Sequence, residues 1–168
     1  MAGNGDKQGA SSARRDAILS AITARIPYLS FLGIRFLRRG DRLTAVLPFQ
    51  HSLIGNPIRR ALHGGATAGF LEATAIVDLA YTAALTKGPH GPESAAPELA
   101  ALPLKLPETI DLRVDYLRPG RPCEARARAR ILRIGRRFAS IHVEAWQDDR
   151  RRPFAHATGQ FLMPNPDA

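Results

Sequence analysis

One stretch, residues 62–80, limits what this chain can fold into more than any other. It reads LHGGATAGFLEATAIVDLA, a His-Gly-Gly turn followed by small and apolar residues. Apolar character on nearly all sides predicts a buried helix, which we place at about residues 65–85. Its small residues allow a sheet or a partner to approach closely. Of the two carboxylates in this stretch, Glu72 and Asp78, Glu72 follows the small residues directly and has no basic neighbour in the sequence, so its presence requires an explanation.

The second half of the chain alternates apolar and polar residues. This period is typical of antiparallel strands that have one packed face and one solvated face. The predicted strands are residues 109–117, 123–134, 137–146 and 154–163. We expect them to form a four-stranded meander after a two-stranded opening at residues 32–37 and 43–49. Strict alternation places Thr109 on the polar face together with Asp111.

The remaining segments complete one α+β domain over residues 14–168, with a core at about 32–163. Residues 1–13 are polar and rich in Gly and Ser, which predicts a disordered tail. Residues 14–26 carry apolar residues at helical spacing, so we predict an N-terminal amphipathic helix that ends at Pro27. Residues 87–102 are rich in Pro, Gly and Ala and predict a loop or lid.

Composition restricts the compartment and the class of partner. The single cysteine, Cys123, excludes an internal disulfide and a cysteine-based zinc site. The sequence has neither a secretory apolar segment nor the run of ~20 apolar residues that spans a bilayer. We therefore expect a cytoplasmic protein that does not bind membranes. A net charge of +9 suits nucleic acid or a phosphorylated ligand, but a general preference for arginine explains it more simply, and the arginines lack interleaved aromatics.

The order of these elements and two motifs resemble the hotdog-fold acyl-CoA thioesterases of the PaaI-like, 4-hydroxybenzoyl-CoA thioesterase type. The motifs are HSLIGNPIRRALHGGATAGFLEATA and TIDLRVDYLRPGRP, and the likeness spans about residues 34–163. It implies a curved antiparallel sheet of about six strands wrapped round one central helix. It also implies hydrolysis of an acyl-CoA thioester without a metal or other cofactor. The expected assembly is a homodimer joined edge to edge, or a tetramer of two such dimers.

The resemblance further implies which residues form the catalytic site. Gly64 matches the glycine whose backbone N–H binds the thioester carbonyl, and Glu72 matches the acid that acts as nucleophile or general base. Asn56 resembles the loop asparagine that orients the carbonyl or the water. Thr109 falls where related enzymes carry a Ser or Thr near that water. His63 matches the motif histidine, which positions the loop.

Coenzyme A carries a diphosphate and a 3′-phosphate, which arginines in strand turns can bind. The candidate substrate-binding residues are Gly65, Arg118, Arg121, Arg136 and Arg137. Phe70 and Tyr81 are candidate walls of the acyl pocket. Asp78 lies off the face of Glu72, and we expect it to make a structural hydrogen bond.

Helix geometry adds a constraint that the motif does not contain. Gly64 and Glu72 are eight residues apart, which is ~12 Å of helical rise. One scissile carbonyl cannot contact both groups of the same chain. We therefore predict a composite site at the subunit interface, where Gly64 and Asn56 of one subunit face Glu72 and Thr109 of the other.

Other interpretations remain open. A structural ion pair with Arg35, Arg42 or Arg113 would also account for Glu72. A hotdog hydratase or dehydratase would need an Asp/His pair near the helix, and no Asp lies five residues after His63. A non-catalytic acyl-CoA-binding protein would keep the fold without turnover.

Overall fold

The computed structural model describes residues 4–87 and 105–164. In chain order its elements are α1 (Asn4–Thr23), α2 (Pro27–Leu32), β1 (Arg35–Arg39), β2 (Arg42–Leu47), a 3-10 turn (His51–Leu53), β3 (Ile54–Asn56), β4 (Ala61–Leu62), α3 (Gly64–Lys87), β5 (Glu108–Tyr116), β6 (Ala125–Ile134), β7 (Phe138–Trp146) and β8 (Ala155–Leu162). The predicted loop at residues 87–102 lies outside the described residues from 88 onward.

One antiparallel sheet of six strands packs against α3. Its strand order is β1-β2-β6-β7-β8-β5, and α3 contacts every strand of it except β1 closely. Alanines that are fully buried line the face of the sheet towards the helix, so the helix lies close to the strands. They include Ala45, Ala127, Ala145 and Ala157. The predicted α+β hotdog architecture, with about six strands and one central helix, is confirmed.

The predicted meander of four strands is wrong in one respect. β6 pairs with β2, through partners such as Ala45 and Ala127, and this joins the opening hairpin to β6, β7 and β8. β5 therefore does not lie beside β6. It pairs with β8 and forms the opposite edge of the sheet. Alternation indicates which face of a strand is buried, but it does not indicate which strand is its neighbour.

The N-terminal segment forms two helices where we predicted a tail and one helix. Helical backbone begins at Asn4, within the predicted tail, and α1 ends at Thr23. Pro27 does not end a helix but begins α2, because its missing N–H and fixed φ suit a first helical position. Ion pairs from Arg15 to Asp41 and from Arg38 to Asp16 join α1 to the β1–β2 hairpin. The bounds of the single domain stay a prediction.

α3 is the core of the molecule. Gly64–Thr86 is the one helix of the described residues that is long and apolar enough to cross a membrane, and most of it is buried inside this fold. Phe70 is fully buried and Tyr81 is 1% exposed, so neither can line a pocket that opens to an acyl chain. Both belong to the buried core of the chain, which does not fit the prediction that they form the walls of an acyl pocket.

The side chain of Asp78 on α3 makes no hydrogen bond to any residue in the described ranges, contrary to our expectation. Burial raises the pKa of its carboxyl group to about 7 from an ordinary value of 3.8. In the folded protein it therefore keeps its proton at a pH where the unfolded chain has lost it. Folding stability should fall as the pH rises from about 4 to about 7 and then level off.

Asp78→Asn removes this titration. We expect the substitution to increase the free energy of unfolding by about 2 kcal/mol near pH 8 and to change it little near pH 4. Urea unfolding at the two pH values measures the difference. Asp111→Asn, on an exposed position of β5, is the control and should leave the pH dependence as in the wild type. An equal effect of Asp78→Asn at both pH values would contradict this account.

Candidate active site

The start of α3 is held from two sides. The β3–β4 hairpin, in which Ile54 pairs with Leu62, comes immediately before the His-Gly-Gly turn. The His63 N–H donates to the Leu53 carbonyl oxygen at 2.7 Å, and the Leu62 N–H donates to the Gly120 carbonyl oxygen at 2.9 Å. Gly55 is needed here, since a Cβ at this position would lie 2.6 Å from the Cα of His63. These contacts fix where the helix begins.

Two backbone donors at this helix terminus, the Gly64 and Ala66 N–H groups, have no partner among the described residues. The Gly65 N–H donates to Nδ1 of His63 at 2.9 Å, and the Thr67 N–H donates to the His63 carbonyl oxygen at 3.0 Å. The Gly64 N–H donates to no residue within 4–87 or 105–164. The hydroxyl of Tyr116 donates to the Gly64 carbonyl oxygen at 2.8 Å, which orients the first peptide of the helix. An unpaired N–H at the positive end of a helix suits a developing oxyanion.

These contacts indicate different roles for the residues of the His-Gly-Gly motif. His63 caps the helix through its ring nitrogen, as expected for a residue that positions the loop. The N–H of Gly65 is occupied by that cap, so it is not free to bind substrate. Tyr116 was not among the predicted site residues. The sequence signal that could have identified Tyr116 is its hydroxyl, because the other alternating positions predicted for the apolar face of β5 carry aliphatic side chains.

Glu72 lies two helical turns further along α3 and is half-buried. Its Oε1 accepts a hydrogen bond from the hydroxyl of Thr109 at 2.6 Å. Arg35 pairs with Glu124, and Arg113 pairs with Asp115. Glu72 has no ion pair to any described residue. The structural ion-pair interpretation is therefore not realised in this part of the chain, and the carboxylate is available for chemistry.

A bulge in β5 explains how Thr109 reaches the acid. Thr109 pairs with Phe161 and Asp111 pairs with Gln160, which leaves Ile110 as the extra residue. Directly opposed residues in an antiparallel pair share a face of the sheet. Because Phe161 is fully buried, Thr109 lies on the helix face, and Asp111 lies on the other. The prediction that Thr109 shares the polar face with Asp111 is wrong, since one inserted residue reverses the alternation.

We expect Thr109→Val to lower kcat/KM by about tenfold, because Glu72 loses a hydrogen bond to a charged group while the side-chain volume is kept. Thr109→Ser retains the hydroxyl and should stay much closer to the wild type. Thiol-release kinetics on both variants measure the effect. A loss in the Ser variant with activity retained in the Val variant would show that packing of the methyl group, and not the hydroxyl, matters.

Asn56 lies in the β3–β4 hairpin and is exposed. Its Oδ1 accepts from the N–H of Arg59, three residues further on, at 2.9 Å, and this local side-chain-to-backbone bond holds the loop. Its side-chain amide N–H groups donate to no other residue of the described chain, so they remain free to meet a ligand. No hydrogen bond or ion pair joins Asn56 to Glu72 within the described part of this chain, and their assignment to different sites stays a prediction.

The four predicted arginines fall into two clefts at opposite ends of the sheet. The first cleft, of about 290 Å³, is lined by Arg118 and Arg121 and lies near the start of α3 because Gly120 bonds Leu62. Arg118 donates to the Pro153 carbonyl oxygen at 2.7 Å, and Arg121 pairs with Asp148.

The second cleft, of about 540 Å³, is lined by Arg136, Arg137 and Glu108. It lies at the end of β5 that holds Thr109, the residue whose hydroxyl bonds Glu72. The guanidinium of Arg137 is 5.8 Å from the ring centroid of Phe138. The structure therefore does not bring the four arginines together in one chain. Among residues 4–87 and 105–164, no group of three or more His, Cys, Asp or Glu is placed to hold a metal.

Comparisons with known proteins agree with this geometry. A family model described as an acyl-CoA thioesterase N-terminal domain matches residues 55–162. The medium/long-chain acyl-CoA thioesterase YigI of Salmonella typhimurium is 35% identical over 141 residues, 82% of this chain and 86% of that protein. The Escherichia coli protein of the same name is 33% identical over the same coverage.

A solved structure from Shewanella oneidensis, described as related to the thioesterase superfamily, aligns with a TM-score of 0.69. It is 25% identical and covers 92% of this chain and 97% of its own. The family match covers more than half of the chain, and the fold comparison agrees with it. The chain therefore belongs to the hotdog-fold acyl-CoA thioesterases and is a thioester hydrolase.

Proposed function

We propose that this acyl-CoA thioesterase uses Glu72 as its catalytic acid and the Gly64 N–H as the donor to the thioester carbonyl oxygen. The observation that carries the proposal is the pair of free groups on α3. One is an unpaired N–H at the positive helix terminus, and the other is a carboxylate held only by the Thr109 hydroxyl. Both are what acyl transfer to water requires.

The reaction has two routes that these residues can support. In the first, Glu72 takes a proton from water as the water oxygen bonds to the carbonyl carbon. The negative charge that develops on the carbonyl oxygen is stabilised by the Gly64 N–H, the C–S bond breaks, and the CoA thiolate takes up a proton. In the second, a Glu72 oxygen attacks the carbonyl carbon, the C–S bond breaks and the CoA thiolate leaves and takes up a proton. Water then hydrolyses the resulting anhydride, which releases the free acid and regenerates Glu72.

The distance along α3 supports a site shared between two subunits. Eight residues of helix separate the two groups by ~12 Å, so we infer that Gly64 of one protomer acts with Glu72 of its partner. β5 is an edge strand of the sheet, and exposed apolar side chains lie along it and just after it. They are Ile110, Tyr116 and Leu117. Such an edge suits pairing with a second copy of the chain. Further pairing into a tetramer is an extension of this proposal.

In a two-fold symmetric dimer that pairs through β5, the two arginine clefts would also meet at one shared site. The first cleft lies at the Gly64 end of the chain, and the second lies at the Glu72 end. In a composite site, Arg118 and Arg121 of one protomer would lie with Arg136 and Arg137 of its partner. Four guanidinium groups suit the diphosphate and 3′-phosphate of coenzyme A. We further propose that the protein is cytoplasmic, needs no metal or bound cofactor, and binds neither nucleic acid nor membrane.

A hydratase is less consistent with the site. Nδ1 of His63 accepts from the Gly65 N–H, so this nitrogen is occupied by the helix cap. No carboxylate of the described chain pairs with His63. The residue therefore lacks the acidic partner that hydration chemistry would use.

A thiol-release assay over butyryl-, octanoyl-, dodecanoyl- and palmitoyl-CoA tests the function. Because the YigI relatives are named for medium and long chains, we expect the highest kcat/KM with octanoyl-CoA or longer. Binding of acyl-CoA without thiol release would instead identify a non-catalytic binding protein. Loss of enoyl-CoA absorbance without thiol release would identify a hydratase.

A further inference from the structure

An aromatic pair on α2 lies exposed beside the helix that carries Glu72. The rings of Tyr28 and Phe31 stack, with centroids 5.8 Å apart and planes inclined by 17°. Tyr28 is 45% exposed and Phe31 is 76% exposed. Leu29 and Leu32, each 3% exposed, anchor the opposite side of this short helix in the core. α2 is thus fixed by one face and presents two aromatic rings on the other.

The absence of a side chain at Gly69 lets Tyr28 lie against α3. A Cβ on Gly69 would be 2.7 Å from Cε1 of Tyr28 and 3.0 Å from its hydroxyl oxygen. Any larger residue would displace the ring. Gly69 precedes Glu72 by three residues, which is ~4.5 Å of rise and a rotation of about 60°. The Tyr28 ring therefore borders the side of α3 on which the acid lies.

This side of α3 is apolar on both sides of the acid. Ala68 lies four residues before Glu72 and Ile76 lies four residues after it, so all three share one face of the helix. Each is half-buried, and the residues between them are mostly buried. The carboxylate therefore lies within an apolar strip that stays partly open, with Tyr28 at its margin and Phe31 beyond it.

We propose that Tyr28 and Phe31 form the acyl-binding wall of the site served by Glu72, and that they set the preference for long aliphatic acyl chains. The inference rests on the proposed function and adds the residues that select the substrate. The acyl chain is the occupant because it extends from the carbonyl carbon that Glu72 must reach, and both rings belong to the same chain as that acid. A short acyl group ends beside Tyr28, whereas a longer one also covers Phe31.

The test compares kcat/KM for butyryl-, octanoyl- and palmitoyl-CoA in Phe31→Ala. We expect about a tenfold loss with palmitoyl-CoA and less than about a twofold loss with butyryl-CoA, because only the longer chain buries methylene groups against Phe31. Tyr28→Ala should lower the values for octanoyl- and palmitoyl-CoA, and Tyr28→Phe should restore them. Leu37→Ala, a half-exposed aliphatic position on β1, is the control and should leave all three ratios unchanged.

The outcomes separate this inference from the proposed function. Equal losses at all chain lengths in Phe31→Ala, or none, would overturn the inference. An altered oligomeric state with an unchanged chain-length ratio would also overturn it and would place the pair in a subunit interface. If the wild type releases thiol from no acyl-CoA, the proposed function fails, and calorimetry decides the inference. A tenfold weaker Kd of Phe31→Ala for palmitoyl-CoA, with the Kd for coenzyme A unchanged, would support it, and an unchanged Kd ratio would overturn it.

Discussion

Glu72→Gln is expected to lower kcat by about 10³-fold, within the range that a general base or nucleophile contributes. The amide has the shape of the acid and can still accept the hydrogen bond from the Thr109 hydroxyl. It can neither attack a carbonyl carbon nor take a proton from water. Steady-state thiol release with octanoyl-CoA measures the loss.

Two controls make the result specific to Glu72. Glu124→Gln removes an exposed carboxylate that pairs with Arg35 and Arg126, and its kcat should stay close to the wild type. Binding of coenzyme A to Glu72→Gln should be unchanged, which shows that the site is still folded. A Glu72→Gln enzyme that keeps a third or more of its activity would disprove the assignment of the acid.

Gly64→Pro is expected to lower kcat by about 10²- to 10³-fold, because proline has no N–H to donate to the oxyanion. Proline suits a first helical position, where the N–H has no helical partner in any case. The residue before a proline prefers an extended backbone, and this is also the usual backbone conformation of an N-cap residue. Gly64→Ala is the matched variant, since it keeps the N–H. Its Cβ would meet the Tyr116 hydroxyl oxygen at 3.4 Å, an ordinary contact, so it should lose far less activity.

The two inactive variants together test whether the site is shared. Co-expression of Glu72→Gln and Gly64→Pro in equal amounts makes half of the dimers mixed. One of the two sites in a mixed dimer then has an intact Gly64 from the first chain and an intact Glu72 from the second. Activity should therefore recover to about a quarter of the wild-type value. No recovery, with mixed dimers present, would locate both groups of each site in one chain.

The sequence was sufficient to predict most of the fold because its patterns are local and strong. The predicted strand at residues 137–146 corresponds to Phe138–Trp146, and the predicted helix at 65–85 corresponds to Gly64–Lys87. Both follow from the period of apolar residues alone. The neighbour of β5 could not be predicted in this way, because pairing depends on contacts between residues far apart in sequence.

The residues of the candidate site could be proposed from the sequence, but their contacts could not be predicted. The motif located Glu72 and Thr109, but alternation assigned Thr109 to the wrong face because the bulge at Ile110 leaves no mark in a polar–apolar pattern. The role of Tyr116 depends on β5 running beside the start of α3. The stacking of the aromatic pair on α2 could not be predicted, because Pro27 was expected to end a helix and in the structure begins one.

The edge strand β5 makes hydrogen bonds to both ends of the α3 segment that runs from Gly64 to Glu72. Tyr116 fixes the first peptide of α3, and Thr109 fixes the acid, while β5 is bonded within the sheet to β8 alone. A slip of β5 by two residues would keep every side chain on its face and would still move both contacts by about 7 Å. The bulge at Ile110 opposes such a slip, because it fits one register only. The bulge therefore maintains the Tyr116–Gly64 contact and the Thr109–Glu72 contact together, although the two ends of α3 would serve two different sites.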